Sequence, residues 1–418
     1  MSLRVLTAAV ALAAFTLLAG APADADAAKR KREVIFVGNN WAGTADVLLA
    51  SRRQDYRRVA RLNIIPDFDE RMDEIQNPLN PNYDPTRLPF FVGINLLIGE
   101  GNNQYVDDMY SSNDGRLLIV SRPSFKDVVG INIRTGRIVW RFEVDGQRSD
   151  HMAISPDGRE VAVSASTGNV VHILRTKTGR EIGRFPSGDS PHENNYSVDG
   201  ERIYHASIGL VYTPLDQPEL DDTKGERYFQ VVDADTDEVL TRVDLGQKLE
   251  EAGHPGMSAA VRPMALTPNE RKAYLQISFF HGFVEYDLER GEVTRVIEMP
   301  NEVPNLPREA YLLDSAHHGI AMSGNGRKLC VAGTMSDYAA IVRRKQGFKH
   351  ELFHKGTKPY WSTTSKDGKL CYVSWSGTDS ISVFSYRKER EIAHVEVGDH
   401  PQRIRTGFVR RSWLRSLR

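Results

Sequence analysis

The 418-residue sequence lacks the short motifs by which many enzymes are found. No Gly-x-Ser-x-Gly elbow occurs, so a serine nucleophile of that kind is not indicated. No glycine-rich phosphate loop follows a strand and opens a helix, which argues against a nucleotide enzyme. No Cys-x-x-Cys-His occurs, which excludes a covalent c-type haem. A functional site in this chain is therefore not marked by any of these motifs.

The sequence also lacks an excess of charge of either sign. Lys and Arg together number 54 and Asp and Glu 55, a formal net charge of −1. A neutral protein has no global field to steer nucleic acid, so we expect no nucleic-acid partner. The arginines of the C-terminal tail are interpreted as a solvated end.

Long hydrophobic runs are absent except at the N terminus. A basic residue, Arg4, precedes the apolar run 5–21, and small residues follow it. This pattern predicts a signal peptide over residues 1–28, and hence a secreted or periplasmic protein. No Cys lies at the cleavage point, so a lipoprotein is not indicated. No second apolar run follows, so we expect no membrane span in the mature chain. An uncleaved membrane anchor is the alternative.

Cysteine is scarce: Cys330 and Cys371 are the two in the chain. They occupy matching places on the second strands of two successive repeats. An exported protein can oxidise such a pair. Because stacked sheets pack about 10 Å apart, we expect the two side chains to be buried thiols rather than a disulfide.

A repeat dominates the rest of the sequence. Its clearest copy has an Asp157-Gly158 turn between two alternating runs and a Thr178-Gly179 turn before the last run. Such dipeptides between alternating runs are hairpin signals. The step is 43 residues from Asp114 to Asp157 and 42 from Asp157 to Asp199. Four-stranded propeller blades have periods of about 40–45 residues, so we predict an all-β, seven-bladed β-propeller in residues 29–418.

The two ends of the repeat region complement each other. The chain begins with strands near Val34 and Ala45, and it ends on a lone strand from Pro401. We expect this C-terminal strand to complete the N-terminal blade, which would close the ring and leave no bare sheet edge.

Four insertions interrupt the repeat, at 66–104, 208–227, 247–260 and 301–316. Three of them connect successive blades, and the second connects two strands within one blade. In an up-and-down blade both kinds of connection emerge on the same face, so we expect all four on one face. Insertions on one face often mark a binding surface. A decorated surface without a ligand is the alternative.

Histidine and charged residues recur where the first strand of each blade begins. The residue seven positions before each Asp-Gly turn is expected to face the channel mouth, and this set consists of Asp107, Asp150, His192, Arg262, His318 and Tyr360, with Gln402 in the closing blade. Their neighbours are Asp108, His151, Glu193, His317 and His400. His254 lies in an insertion above the same face.

Three interpretations of this cluster remain open. The first is a divalent transition metal held by His151, His192, His318 and His400, because neutral imidazoles suit such ions. The second is a metal-free acid–base site in which a His beside a carboxylate is poised near neutral pH. Here Arg262 would hold an anionic group of the substrate. The third is a wet channel whose polar groups satisfy one another through water.

Three segments of the sequence resemble the YVTN-type repeat: Phe36-Val-Gly-Asn-Asn, Ile154-Ser-Pro-Asp-Gly and Glu396-Val-Gly-Asp-His-Pro-Gln. Over residues 33–409 the chain is similar to exported YncE-like β-propellers. The resemblance implies a seven-bladed, exported propeller, often of unassigned function. Proteins of this general shape include surface-layer proteins, the beta chain of quinoprotein amine dehydrogenases, the haem d1 domain of nitrite reductases, lactonases and a streptogramin lyase. Shared fold does not transfer their activities.

The long one-sided insertions and the His-rich mouth depart from the plain repeat and favour a dedicated site over a surface-layer role. We therefore predict that the chain binds a small molecule or a protein partner at the channel mouth. Further ligand-binding candidates are His317, His254, Asp107, Asp150 and Gln402. One alternative is a metal-dependent lyase, hydrolase or oxidoreductase, in which Glu193 or Asp108 would move a proton and Arg262 and Tyr360 would orient the substrate. The other is an extracellular scaffold. We expect a monomer.

Overall fold

The computed structural model describes residues 31–98, 101–211 and 215–417. Its strands form seven four-stranded antiparallel sheets, each a blade of a β-propeller, which confirms the predicted fold. The predicted signal peptide lies outside the described residues. In the part of the chain that is described, no helix has the length and apolar character needed to cross a membrane.

Each blade is numbered here in chain order, and its strands are given from the axis outward. Blade 1 consists of β28 (Pro401–Arg410), β1 (Lys31–Asn39), β2 (Thr44–Leu49) and β3 (Arg58–Asn63). Blades 2 and 3 consist of β4 (Met109–Ser111), β5 (Leu117–Arg122), β6 (Asp127–Asn132), β7 (Ile138–Glu143), β8 (Ser149–Ile154), β9 (Glu160–Ala165), β10 (Val170–Arg175) and β11 (Glu181–Pro186). Blades 4 and 5 consist of β12 (Pro191–Tyr196), β13 (Arg202–Ser207), β14 (Phe229–Asp233), β15 (Val239–Val243), β16 (Val261–Leu266), β17 (Lys272–Ile277), β18 (Gly282–Asp287) and β19 (Glu292–Glu298). Blades 6 and 7 consist of β20 (Ile320–Met322), β21 (Lys328–Gly333), β22 (Tyr338–Arg343), β23 (Lys349–Phe353), β24 (Pro359–Thr364), β25 (Leu370–Trp375), β26 (Ser380–Ser385) and β27 (Arg390–Glu396).

The tight turns between the first two strands adopt the left-handed conformation that the Asp-Gly pairs predict. Gly158 has a φ of +68°, and Glu270, at the equivalent place in blade 5, has a φ of +51°. Glycine adopts this conformation without steric strain, whereas Glu270 does not. The turn geometry is thus set by the blade rather than by the residue present.

Ring closure follows the prediction. Strand β28 pairs antiparallel with β1, with Val37 opposite Ile404 and Lys31 opposite Arg410. The innermost strand of blade 1 therefore comes from the C-terminal end of the chain, and its outer strands come from the N-terminal end. This pairing covers the edge that β1 would otherwise leave bare.

The four insertions occupy the connections predicted for them, between β3 and β4, β13 and β14, β15 and β16, and β19 and β20. They carry the helices α1 (Phe68–Gln76), α2 (Arg87–Gly93) and α3 (Leu245–Glu251). A π-helical turn (Ile94–Ile98) follows α2, and the second and fourth insertions contain 3-10 turns (Pro218–Lys224, Arg308–Ala310, Leu312–Asp314). Further 3-10 turns lie between strands (Arg52–Gln54, Pro123–Phe125, Thr334–Ser336).

Buried ion pairs tie the insertions to the blades and to each other. Arg122, fully buried on β5, bonds Asp67 of the first insertion at 2.6 Å. Lys224 of the second insertion donates to Asp314 of the fourth at 2.5 Å and to Asp216 at 2.9 Å. Removing one partner of such a buried pair costs about 3–5 kcal/mol, so these contacts hold the insertions in place.

The expectation of buried thiols is wrong. Cys330 and Cys371 form a disulfide that joins β21 of blade 6 to β25 of blade 7. The two Cα atoms are 6.4 Å apart, within the range of disulfides. Blades converge toward the axis, so their second strands approach more closely than two parallel stacked sheets do. The general sheet spacing of about 10 Å therefore overestimated the distance.

Candidate functional site at the channel mouth

A bulge recurs where the innermost strand of a blade begins. In blade 3, Ser149 pairs with Ala165 but Met152 pairs with Val163, so the inner strand carries one extra residue. The same shift occurs between Pro191 and Asn194 in blade 4 and between Val261 and Met264 in blade 5. Bulges re-aim side chains and are frequent beside functional sites. Here they turn residues of successive blades toward one cavity.

That cavity has a volume of about 180 Å³. Its lining contains the predicted residue from every blade, namely Asp107, Asp150, His192, Arg262, His318, Tyr360 and Gln402. All seven are at most 5% exposed. At about 30 Å³ per water molecule, the cavity corresponds to roughly six waters. It therefore suits a small ligand rather than a macromolecule.

Three imidazoles meet in this cavity: those of His151, His192 and His318. One potential ligand atom from each lies within 4.8 Å of the other two. The rings of His151 and His192 are 3.8 Å apart, and that of His318 is 5.8 Å and 5.5 Å from them. The Nδ1 atoms of His192 and His318 have no hydrogen-bond partner among the described residues.

Burial lowers the pKa of each of these three histidines well below its ordinary value, with a further contribution from nearby arginines. The imidazoles are therefore neutral at neutral pH. A neutral imidazole is the form that binds a metal ion.

Glu193 lies within hydrogen-bond distance of one histidine of the cluster, His151. Its Oε2 lies 2.8 Å from Nδ1 of His151. When the carboxylate accepts the Nδ1 proton, the lone pair of Nε2 is left for another ligand. Burial raises the pKa of Glu193 to about 8, against the opposing charges of Arg405 and Arg403. At neutral pH the carboxyl group is therefore largely protonated, and only its ionised form accepts the proton of His151. A carboxylate behind a histidine in this way is the usual outer partner of a metal-bound imidazole.

Two carboxylates lie on the other side of His151. Its Nε2 is 3.5 Å from Asp150 and 3.9 Å from Asp107. Burial raises the pKa of Asp107 to about 7 and also raises that of Asp150. These two residues and His151 form a second group whose ligand atoms lie within 4.8 Å of one another. Oxygen and nitrogen donors therefore face the same space.

Arg262 and Tyr360 flank His318 in the ring. The Nε of Arg262 donates to Ser278 at 2.8 Å, while its Nη2 has no hydrogen-bond partner in the described chain. The ring of Tyr360 lies 4.3 Å from that of His318. Both residues face the cavity, where they can contact a bound molecule.

Five sequence-predicted residues lie away from the cavity lining, and one of them, Glu193, contacts His151 as described above. Asp108 is buried and receives two hydrogen bonds from Arg405, at 2.8 and 2.7 Å. His400 stacks on Trp41 with ring centroids 4.0 Å apart. His317 bonds Tyr338 at 3.0 Å. His254 is exposed after α3.

Arg403 and Trp361 were missed in the sequence analysis. Arg403 is fully buried, lies 3.7 Å from Asp107 and stacks 4.0 Å over Trp361. None of its three guanidinium nitrogens has a hydrogen-bond partner among the described residues. Each residue follows a ring position, as His151 and Glu193 do. Applying the neighbour rule to Tyr360 and Gln402 would have identified both.

The insertions place an apolar cap over the polar cluster. Its members line the same cavity and come from the first, second and fourth insertions: Phe90, Ile208, Leu210, Val211 and Leu313. Leu313 has a φ of +47°, an uncommon conformation for leucine. The cavity therefore has a charged floor and a hydrocarbon roof.

The fold and this site define the chain as a seven-bladed β-propeller with a buried cluster of His, Asp and Arg residues at its channel mouth. No protein-family model matches the sequence. No curated protein matches it either. Among solved structures, the chain is similar to hydrazine synthase from Kuenenia stuttgartiensis, at 16% sequence identity and a TM-score of 0.54. The match covers 71% of this chain and 88% of that one, and at this identity it shows the fold alone.

Proposed function

We propose that this chain is an exported, YncE-like β-propeller that holds a divalent transition metal on His151, His192 and His318. A small molecule would bind in the adjoining cavity. The observation that carries the proposal is the meeting of three buried imidazoles at one cavity, with ligand atoms within 4.8 Å of one another. Ligands at 2.0–2.1 Å from a tetrahedral ion are about 3.3 Å apart. Small side-chain rotations would bring the three histidines to that geometry.

Three protein ligands leave an open coordination position. Catalytic zinc sites have this arrangement, whereas structural sites are closed by a fourth protein ligand. His400 was predicted as that fourth ligand, but its ring is engaged by Trp41. The open position would face the cavity, so a bound molecule can reach the metal directly.

A metal-dependent enzyme is the second candidate, favoured by Glu193. Its carboxyl group contacts His151 and has a pKa raised to about 8, so it can carry a proton near neutral pH. We place proton transfer on Glu193 rather than on Asp108, because Arg405 engages both oxygens of Asp108. Arg262 and Tyr360 would orient the substrate. The reaction class is a lyase, hydrolase or oxidoreductase.

Export to an oxidising compartment is supported by two separate features. Residues 1–28 have the pattern of a signal peptide. The disulfide between Cys330 and Cys371 is of a kind that persists outside the cytosol. The YncE-like assignment rests on the repeat motifs and on the confirmed seven blades.

Elemental mass spectrometry on the untagged, exported protein tests the metal. We expect near-stoichiometric metal in the wild type and its loss from the double variant His192→Ala/His318→Ala. Two controls should keep the metal: His205→Gln, a buried histidine outside the cluster, and His254→Ala, an exposed one. A wild type that retains no metal after incubation with Zn²⁺, Fe²⁺ or Cu²⁺ and desalting would overturn the metal site.

A further inference from the structure

No carboxylate of the described chain is hydrogen-bonded to the guanidinium of Arg262. The side chain is 1% exposed, and its ion-pair contact with Asp314 is 3.9 Å long, measured from Nη2. That carboxylate already receives Lys224 at 2.5 Å. Nη2 itself has no hydrogen-bond partner among the described residues. A buried charge without a hydrogen-bonded counter-ion is strongly destabilising, so the geometry indicates a missing anion.

The place of Arg262 in the ring shows where that anion would lie. Arg262 belongs to blade 5, between the blades that carry His192 and His318. All three residues line the same cavity. An anion that accepts from Nη2 would therefore lie beside the two imidazoles.

The roof of the cavity restricts the rest of the ligand. Ile208 and Leu313 cover the charged floor, and Leu210 is 45% exposed at the opening. Apolar side chains over a charged floor suit a molecule with one charged end and a hydrocarbon body, because burying that body removes apolar surface from water. The volume of about 180 Å³ limits this body to about the size of a benzene ring or a short chain.

We infer that the ligand or substrate is a small amphipathic carboxylate, with its carboxylate on Arg262 beside the histidine cluster and its hydrocarbon part under the apolar cap. The inference rests on the ligand half of the proposed function and names its chemical class. The contact with Arg262 requires no metal. Failure of the metal site and failure of this inference are therefore separate outcomes.

Isothermal titration calorimetry with hexanoate, acetate, hexanamide and hexylamine tests this class. We expect hexanoate to bind at least about tenfold more tightly than acetate or hexanamide, and hexylamine not to bind. Arg262→Gln should weaken hexanoate binding by about ten- to a hundredfold, since a hydrogen bond to a charged group contributes about 1.5–3 kcal/mol. Arg159→Gln, at a surface arginine whose side chain is 77% exposed, is the matched control.

A second variant keeps the test informative if Arg262→Gln does not fold. Leu210→Ser changes an exposed part of the cap, and it should weaken hexanoate binding more than acetate binding and so reduce the preference for hexanoate. Hexanoate that binds no better than hexanamide, or that is unaffected by Arg262→Gln in a folded variant, overturns the inference. Hexanoate binding retained by the metal-free variant His192→Ala/His318→Ala would support the inference even if the wild type holds no metal.

Discussion

Two groups of buried histidines differ in how their ring nitrogens are used. His205 bonds Asn194 through Nδ1 and Ser187 through Nε2, at 2.8 and 2.7 Å. At the channel mouth, the Nδ1 atoms of His192 and His318 find no partner in the described chain. Burial is the same in both groups. Hydrogen-bond saturation, rather than burial, distinguishes a histidine that stabilises the fold from one available to a ligand.

Two further histidines have both ring nitrogens engaged, as His205 does. His172 contacts Glu181 through Nδ1 and accepts from the backbone of Asp145 through Nε2. His281 contacts Tyr311 and Ser336 through its two nitrogens. His317 is intermediate, because its Nε2 bonds Tyr338 while its Nδ1 has no partner within the described residues.

The largest expected effect is on stability, from His205→Ala. It leaves Asn194 and Ser187 without their buried partner, so we expect a loss of about 3 kcal/mol in the free energy of unfolding. His192→Ala removes no hydrogen bond at Nδ1 and should cost about 1 kcal/mol. Urea denaturation of both variants measures the difference. Equal losses of unfolding free energy would show that the two groups of histidines contribute equally to stability.

In the presence of metal, we expect the variants of the channel-mouth histidines to be less stable relative to the wild type than the variants of His205, because only the former lose the gain from metal binding. At a free Zn²⁺ concentration of about one hundred times Kd, binding stabilises a folded protein by about 2.7 kcal/mol. We expect this gain, measured as a rise in Tm, in the wild type and in His205→Gln. His318→Gln should show no gain. A gain of the same size in His318→Gln would place the metal elsewhere.

Glu193→Gln should have a smaller effect on the same site. The amide is a poorer partner than a carboxylate for the Nδ1 proton of His151, so we expect metal affinity to fall by about 10- to 100-fold. Competition with a chromophoric chelator measures the affinity, and circular dichroism checks that the fold is retained. An unchanged affinity would exclude Glu193 as a support of the metal.

The smallest expected effect, taken per pH unit, is in the pH dependence of stability. Burial lowers the pKa of His205 to about 3, whereas an unfolded histidine titrates near 6.5. The contribution of neutral His205 to the free energy of unfolding is fully present above pH 6.5. It is lost as pH falls toward 3, because the unfolded chain takes up the proton first. Between pH 6.5 and 4 the unfolding free energy of His205→Gln should therefore fall less steeply, by up to about 1.4 kcal/mol per pH unit.

Urea titrations at several pH values measure these slopes. His254→Ala is the control, since an exposed histidine should leave the slope unchanged. Equal slopes in the wild type and His205→Gln would mean that His205 is not held neutral by the fold.

The fold was predictable because its signals are local and repeated. Turns such as Asp157-Gly158 set the phase of every blade, and counting seven residues back from each turn located the ring at the cavity. Residues in the irregular connections have no fixed distance from a turn, so this count does not apply to them. His254 and His400 were therefore assigned to the site although they lie outside its lining.

Distances between blades were also beyond sequence reasoning. The disulfide of Cys330 and Cys371 depends on how closely two blades converge, which no local pattern encodes. The convergence of His151 and His192 depends on bulges in separate blades, and His318 joins them from a third blade. The pattern identified candidate residues, while the backbone geometry selected which of them meet.

The closing strand determines when the site can exist. Gln402, which lines the cavity, and Arg403, which lies 3.7 Å from Asp107, belong to β28, a strand that follows the other six blades along the chain. A nascent chain that has completed its other six blades still has a gap in the channel wall. The wall of the cavity is therefore complete only in the finished ring.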